Sequence, residues 1–274
     1  MSATITLNPN VRVEPPATLP VDYLSLTSLK LLMQCPEKWR RRYIDHDPEP
    51  AAGKLILGKA SHAALGQHYS VKLESGEGLC AEALLDEFST DWDSRVDGEE
   101  VDWGTDTAGE LKDSGAGALA VHHRLVAPAI EPVAVERGFE LSWPGVDWRL
   151  TGFIDLEDHN ELVRDWKAIA RRMNQKDADA DLQPTVLMAA RRAEGNPAAG
   201  FAFDTMVRNK TPIAEVLDTD RSDLQLDSLT DRIFGLAREI EWRCESGVWS
   251  GASPNTWFCS TCRYHDCPLR LGNP

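Results

Sequence analysis

Two acids and a lysine, Asp155, Asp165 and Lys167, fall in a short stretch from Trp148 to Lys167 that is built to bring them together. Hard carboxylate oxygens suit Mg²⁺ or Mn²⁺, ions that usually keep several waters and also take substrate phosphate oxygens. Such an ion neutralises charge on a phosphodiester and lowers the pKa of a bound water. A lysine ammonium beside it orients that water or stabilises the charge that develops. The alternative is a hairpin carrying ordinary surface charges, a real competitor in a chain rich in Asp.

The elements around these residues decide between the two. Trp148 to Glu157 and Glu161 to Lys167 have apolar residues at alternate or adjacent positions, separated by the turn formers Asp158-His159-Asn160, which predicts a β-hairpin. With the turn centred on His159, Asp155 lies opposite Val163 and Asp165 one step further along the same face. Such diagonal neighbours have Cα atoms roughly 7–8 Å apart, within reach of one shared ion. Lys167 points to that face and Trp166 to the other. A one-residue slip would separate the acids. Upstream, Val133 to Trp143 alternates as a strand and offers Glu136 as a third acid, or as a solvent-facing residue. Gly58 to Leu65 is a helix of small residues with His62 projecting from it, as a ligand or as an ordinary core or surface histidine. His122 and His123 receive no role.

The remaining chain divides as follows. Residues 1–22, with Pro15, Pro16 and Pro20, read as an irregular arm. Residues 23–70 hold N-terminal helices, one capped by Ser25 or Thr27. Residues 71–131 form an acidic helical insertion, and 132–247 a core with a polar loop after Lys167. That core continues with a helix from about Leu182 to Glu194, strands at Gly200–Arg208 and Pro212–Leu217, and a long helix capped by Asp227 or Ser228. Residues 248–274 are a cysteine-bearing tail.

A length of 274 residues with 42% hydrophobic content supports one large domain, and no apolar run approaches the ~20 residues that span a bilayer. The N-terminus has no basic, apolar signal pattern, so a cytoplasmic setting is expected. A net charge of −15 argues against general nucleic-acid binding. Its distribution weakens that objection: Glu82 to Asp113 holds 12 acids against two bases, whereas Arg164 to Lys176 is basic, as are Lys38, Arg40, Arg41 and Arg42. Arg171 and Arg172 are candidate substrate contacts on that ground.

Cys259, Cys262 and Cys267 follow a C-x2-C-x4-C pattern, a metal-ligand spacing in a reducing compartment. A fourth ligand comes from distant Cys35 or from local Cys244 or His265. Four thiolates suit zinc or an iron–sulfur cluster, and Cys3His suits zinc. Cys80 and Cys244 otherwise read as free thiols.

Taken together, Cys35-Pro36, Gly58-x3-His62, Glu136, Gly152-Phe-Ile-Asp155, Asp165-Trp-Lys167, Gln183 and the terminal cysteines resemble the RecB-like iron–sulfur branch of the PD-(D/E)XK nucleases. That branch includes CRISPR-associated RecB-like exonucleases and AddB-type nuclease domains. The resemblance runs from about Ser25 to Pro268. It implies an α/β restriction-endonuclease-like core, a central mixed sheet flanked by helices, with a clasp joining the two ends of the chain. It implies that His62, Asp155, Asp165 and the Trp166 carbonyl hold Mg²⁺ or Mn²⁺, and that Lys167 activates or positions water. Gln183 would contact substrate, and Cys35, Cys259, Cys262 and Cys267 would bind a [4Fe–4S] cluster, with Zn²⁺ as the alternative. The implied activity is exonucleolytic hydrolysis of single-stranded DNA or DNA ends, in recombination, repair or phage DNA processing.

Three departures qualify the likeness. Leu187 stands where the family has the tyrosine of Q-x3-Y, the last cysteine gap is four residues, and the acidity points to a protein partner in a recombination complex covering part of the surface. Two other functions compete: a non-catalytic DNA-binding or recombination accessory protein that keeps the fold, and a zinc-stabilised interaction module.

Overall fold

The computed structural model describes residues 2–4, 11–254 and 257–272. In chain order the elements are β1 (Ser2–Thr4), β2 (Tyr23–Ser25), α1 (Leu26–Gln34), α2 (Pro36–Tyr43), β3 (Ala51–Ala52), α3 (Gly53–Ser75) and α4 (Ala81–Gly98). They continue with β4 (Val101–Asp102), α5 (Ala108–Leu125), β5 (Pro132–Ser142), β6 (Arg149–Asp158), β7 (Leu162–Ile169) and α6 (Gln175–Ala180). The last are α7 (Leu182–Ala193), β8 (Gly200–Val207), β9 (Ile213–Thr219) and α8 (Asp223–Ser246). The fold is α/β: a mixed sheet ordered β1-β5-β6-β7-β8-β9, with β2 also paired to β6, and helices on both faces. No helix among the described residues is long and apolar enough to cross a membrane.

β8 is buried along its whole length, as a strand covered on both faces must be, and it lies parallel to β7. On one face Trp39, Trp148, Phe201, Phe203 and Phe234 pack with α1, α7 and α8. On the other, Tyr69, Phe88, Trp92 and Leu119 from α3, α4 and α5 pack with Leu156, Trp166 and Met206 of the sheet. The helices of the acidic segment thus share an apolar cluster with the sheet, and α3 runs without a break through the boundary expected at 70/71.

The hairpin forms, with its register displaced by one pair from the expected one. Leu156 faces Arg164 and Glu157 faces Val163, so the turn centres on Asn160 and not on His159; Asp158 braces it, its Oδ1 accepting from the N–H groups of Asn160 and Leu162. The displacement moves the partner by two residues, so parity is kept and the register carried on sets Asp155 beside Asp165. Other differences are local. Ser2–Thr4 pair with β5 instead of forming part of an irregular arm. The loop after Lys167 contains α6, capped by Asn174. The last long helix starts earlier than Asp227, at a capping box made by Ser222 and Gln225.

Candidate active site

Three features of the sheet open a site at Asp155. First, β6 pairs with β2 over Arg149–Thr151 and with β7 over Leu156–Glu157, so Asp155 lies between two successive partners on one edge. Second, the Trp166 N–H donates to Asp155 Oδ2 at 3.1 Å, a side chain taking a backbone donor of the neighbouring strand. Third, Glu136, between the pairs Val135–Leu156 and Arg137–Ile154, comes opposite Asp155 and has φ 48°. A left-handed non-glycine residue inside a strand is strained, and such strain collects at functional sites. Around this kink the sheet changes sides: Val135 and Leu156 pack with the α3 side, whereas Phe139 and Ile154 pack with the α7 side.

Helix α3 crosses the same point. Gly66 lets it approach β5, since a Cβ there would stand 3.4 Å from Glu136 Cγ. One turn earlier, His62 reaches the sheet with Nδ1 3.3 Å from Asp155 Oδ2 and Nε2 2.7 Å from the Trp166 carbonyl oxygen. Trp166 itself is fully buried and stacked on Tyr69, ring centroids 5.6 Å apart, which fixes the backbone carbonyl that His62 meets. Ligand atoms of His62, Glu136 and Asp155 all lie within 4.8 Å of one another.

Asp165 is held differently. Its Oδ2 lies 2.6 Å from Lys167 Nζ, and Gln183 Nε2 donates to its Oδ1. Lys167 Nζ also donates to Gln183 Oε1 at 2.8 Å, which closes a three-residue ring. Gln183 is placed by Asp181, the N-cap of α7, whose Oδ1 accepts the Gln183 N–H at 2.7 Å and pairs with Lys30 at 2.7 Å. The reading from sequence did not single out Lys30 or Asp181. An Asp two residues before Gln183, at the start of a helix, was the available signal.

The electrostatics are those of three carboxylates sharing two cations, His62 and Lys167. Burial opposes ionisation of Asp155, but His62, the Trp166 N–H and Lys167 outweigh it and hold its carboxyl below the usual range. Burial, with repulsion from Asp155, raises Asp165 to about 6 despite Lys167. Glu136 keeps access to solvent, yet the protein crowding its carboxyl, and then Asp155, raises it to about 6. Burial disfavours the charged forms of His62 and Lys167, but Asp155 lifts His62 to about 9 and Asp165 lifts Lys167 above its ordinary value. The imidazolium therefore bridges a carboxylate and a carbonyl oxygen, the kind of donor set a divalent cation takes.

The proposed basic patches are largely neutralised. Arg164 is buried, paired with Asp158 and Asp204 at 2.7 Å each, so it belongs to the core and not to a DNA-facing run. Arg172 pairs with Glu215, whereas Arg171 and Lys176 are exposed. In α2, Lys38 pairs with Glu49, Arg40 with Glu37 and Asp45, and Arg41 with Asp47 and Asp266.

Cys35, Cys259, Cys262 and Cys267 line one pocket, with Ala252 and Phe258 as apolar walls; all four are free thiols. Cys35 caps α2, its Sγ accepting the Lys38 N–H at 3.4 Å. Burial raises its pKa, and the charges of Cys262, Cys259 and Cys267 raise it further. His265 is exposed and does not line the pocket, and Cys244 is exposed on α8. The two ends are also joined without a ligand: Arg41 stacks on Tyr264 with its guanidinium 4.0 Å from the ring centre, and the Tyr264 hydroxyl donates to the Asp47 carbonyl oxygen.

Comparison with known proteins follows the same lines. The family model of the PD-(D/E)XK nuclease superfamily matches residues 23–267. No curated protein sequence is matched. Among solved structures, the chain is similar to a “Putative exonuclease” from Eubacterium rectale, with a TM-score of 0.58 and 13% identity over 92% of this chain and 90% of that one. It is also aligned with SSO0001, at a TM-score of 0.38 and 13% identity over 92% of this chain and 88% of that one, which is too distant to argue from. At such identities the likeness speaks for the fold, and the family match spans all the site residues described above. The chain belongs to the PD-(D/E)XK nuclease superfamily.

Proposed function

We propose that this nuclease is a Mg²⁺- or Mn²⁺-dependent DNA exonuclease acting on single strands or duplex ends, in recombination, repair or phage DNA processing. The observation that carries the reading is the meeting of His62 from α3, Glu136 from β5 and Asp155 from β6 within 4.8 Å, beside the Asp165–Lys167 pair. The exonuclease label of the Eubacterium rectale protein, of the same fold, supports it.

The donor set fits a hard divalent cation: carboxylates, a carbonyl oxygen and one imidazole, with Asp165 and Glu136 raised in pKa by burial and by the charge of Asp155. His62, Asp155, Asp165 and the Trp166 carbonyl would hold it, with Glu136 contributing from the neighbouring strand. Bound there, it would supply Lewis-acid activation of water and charge neutralisation on the phosphate. The chain's own part is positional. Lys167, kept protonated by Asp165, donates to the attacking water or to a non-bridging phosphate oxygen instead of taking a proton. Gln183 holds both Lys167 and Asp165 and would contact substrate from the start of α7. Arg171, and Arg172 once released from Glu215, would meet the flanking backbone.

The second cofactor we propose is a [4Fe–4S] cluster on Cys35, Cys259, Cys262 and Cys267. An all-thiol donor set in an apolar pocket fits such a cluster, and zinc is the alternative. It would clasp the start of the domain to its end, where loop-closure entropy is large. Six free cysteines agree with a reducing, cytoplasmic setting, and the acidic surface with a protein partner in a recombination complex.

The test is degradation of end-labelled DNA with Mn²⁺ by the wild type and by Lys167→Ala, with circular dichroism showing that the variant folds. Loss of cleavage with the fold retained is expected. A wild type that retards DNA without degrading it would favour the non-catalytic accessory reading.

A further inference from the structure

Phe153 is 66% exposed although it lies in the middle of β6, two residues before Asp155. Ile154, the next residue, packs on the α7 side, and neighbours one apart in a strand project to opposite sides, so the ring of Phe153 stands on the side that His62 and α3 approach. Helix α3 covers Glu136 through Gly66, and beyond that contact the ring of Phe153 is left open. Its edge rests over Gly138 of β5, the residue paired with Phe153: a Cβ at Gly138 would lie 3.5 Å from Phe153 Cε1. The ring is therefore supported from below by strand backbone and presented to solvent above. An apolar ring of this size gains from burial, and nothing among the described residues buries it.

The position limits what would cover it. Two strand residues advance about 6.6–6.8 Å, close to one nucleotide of an extended single strand. A phosphate held beside Asp155 through the proposed cation would, with the strand running along β6, bring the base of the adjoining nucleotide over Phe153. Base–aromatic stacking needs a π-face and no hydrogen-bond pattern, which suits an enzyme that must accept every sequence. A paired base has both faces occupied by its neighbours and its edge turned to the opposite strand.

We propose that Phe153 is the stacking platform for the nucleobase adjoining the scissile phosphate, so that the site engages an unpaired strand. This rests on the nuclease reading above and names the form of DNA that reaches the site. The competing role is structural, an aromatic ring shielding a strand glycine. It predicts lost stability with no dependence on the DNA bases.

The experiment measures binding and cleavage of single-stranded oligonucleotides in which one abasic residue is moved along the positions flanking the cleaved bond. Wild type, Phe153→Ala, Phe153→Leu and Phe153→Trp are compared in Mn²⁺ for cleavage. For binding, the same substitutions are placed in the Lys167→Ala background. In the wild type, one abasic position next to the cleaved bond should weaken binding about 5- to 150-fold, the range of a single stacked base. Phe153→Ala and Phe153→Leu should weaken binding of intact DNA to a similar extent and be indifferent to that abasic residue, while Phe153→Trp restores both affinity and base dependence. Phe153→Leu keeps apolar cover on Gly138, so it keeps the test valid if Phe153→Ala does not fold. Full affinity in Phe153→Leu, or an abasic penalty that persists in it, overturns the proposal. If the wild type cleaves no DNA at all, the nuclease reading itself fails, a result distinct from either.

Discussion

His62 and Asp155, on α3 and β6, meet with Nδ1 3.3 Å from Oδ2, while the other ring nitrogen reaches the Trp166 carbonyl oxygen at 2.7 Å. One imidazole thus touches two of the groups expected to bind the cation. His62→Ala should lower Mn²⁺ affinity by at least the 10- to 100-fold that losing a supporting ligand costs. Calorimetric titration of folded protein checks this, and unchanged affinity would remove His62 from the site.

Gln183 makes its contacts with Lys167 and Asp165 and not with the His62–Glu136–Asp155 group. Gln183→Ala should therefore reduce kcat roughly 10-fold and weaken Mn²⁺ affinity less than His62→Ala does, since of the proposed ligands it supports only Asp165. Single-turnover cleavage beside a metal titration separates the two. Gln183→Glu sets a carboxylate against Asp165 and should be worse than alanine. Better activity from glutamate than from alanine would contradict this arrangement.

Cys35 is the only cysteine of the pocket drawn from the start of the domain. Cys35→Ser should abolish the broad visible absorbance of a cluster, lower iron and sulfide content together, and reduce the thermal midpoint. Cys244→Ser, at an exposed thiol outside the pocket, should change none of these. Colourless wild-type protein with one zinc per chain would replace the cluster with zinc.

Arg164 lies between Asp158 and Asp204, all three buried. Arg164→Met leaves two carboxylates without their cation, a change worth about 3–5 kcal/mol of stability. Urea denaturation should show a lower midpoint at neutral pH. A midpoint equal to wild type would mean that the triad holds nothing together.

Edge-on to Tyr69, with ring centroids 6.3 Å apart, the ring of His122 is fully buried, and neither of its nitrogens has a hydrogen-bond partner among the described residues. Burial, then the positive charges of His68 and Arg164, lowers its pKa to about 3; burial and His123 lower His68 to about 4. An unfolded histidine titrates near ~6.5, so below that pH the unfolded chain binds protons that the native one does not. Stability from this pair is complete above about pH 6.5 and falls as the pH drops towards the folded values, by up to about 3 kcal/mol per pH unit. His122→Phe should give a shallower acid limb in urea melts between pH 7.5 and 5. An identical limb would show that His122 is not neutral in the fold.

Much of this molecule is decided by residues close together in the chain. Alternating apolar residues and a turn centred on Asn160 and braced by Asp158 define the β6–β7 hairpin, and a turn centre expected one residue too early kept the parity that sets Asp155 beside Asp165. Caps at Ser25 and Asp181 and the close spacing of Cys259, Cys262 and Cys267 are equally local, so they are legible without a fold. Tertiary structure decided the rest. It brought α3 against the kink at Glu136, seated His62 on the Trp166 carbonyl, directed Asp165 to Gln183, and turned most of the apparent basic runs into ion pairs with acids from distant segments. Local rules specify which way a side chain leaves its own strand or helix. Which groups from separate elements then meet is set by how those elements pack, and at this site it was a glycine on α3 and a left-handed residue on β5 that let them come close enough.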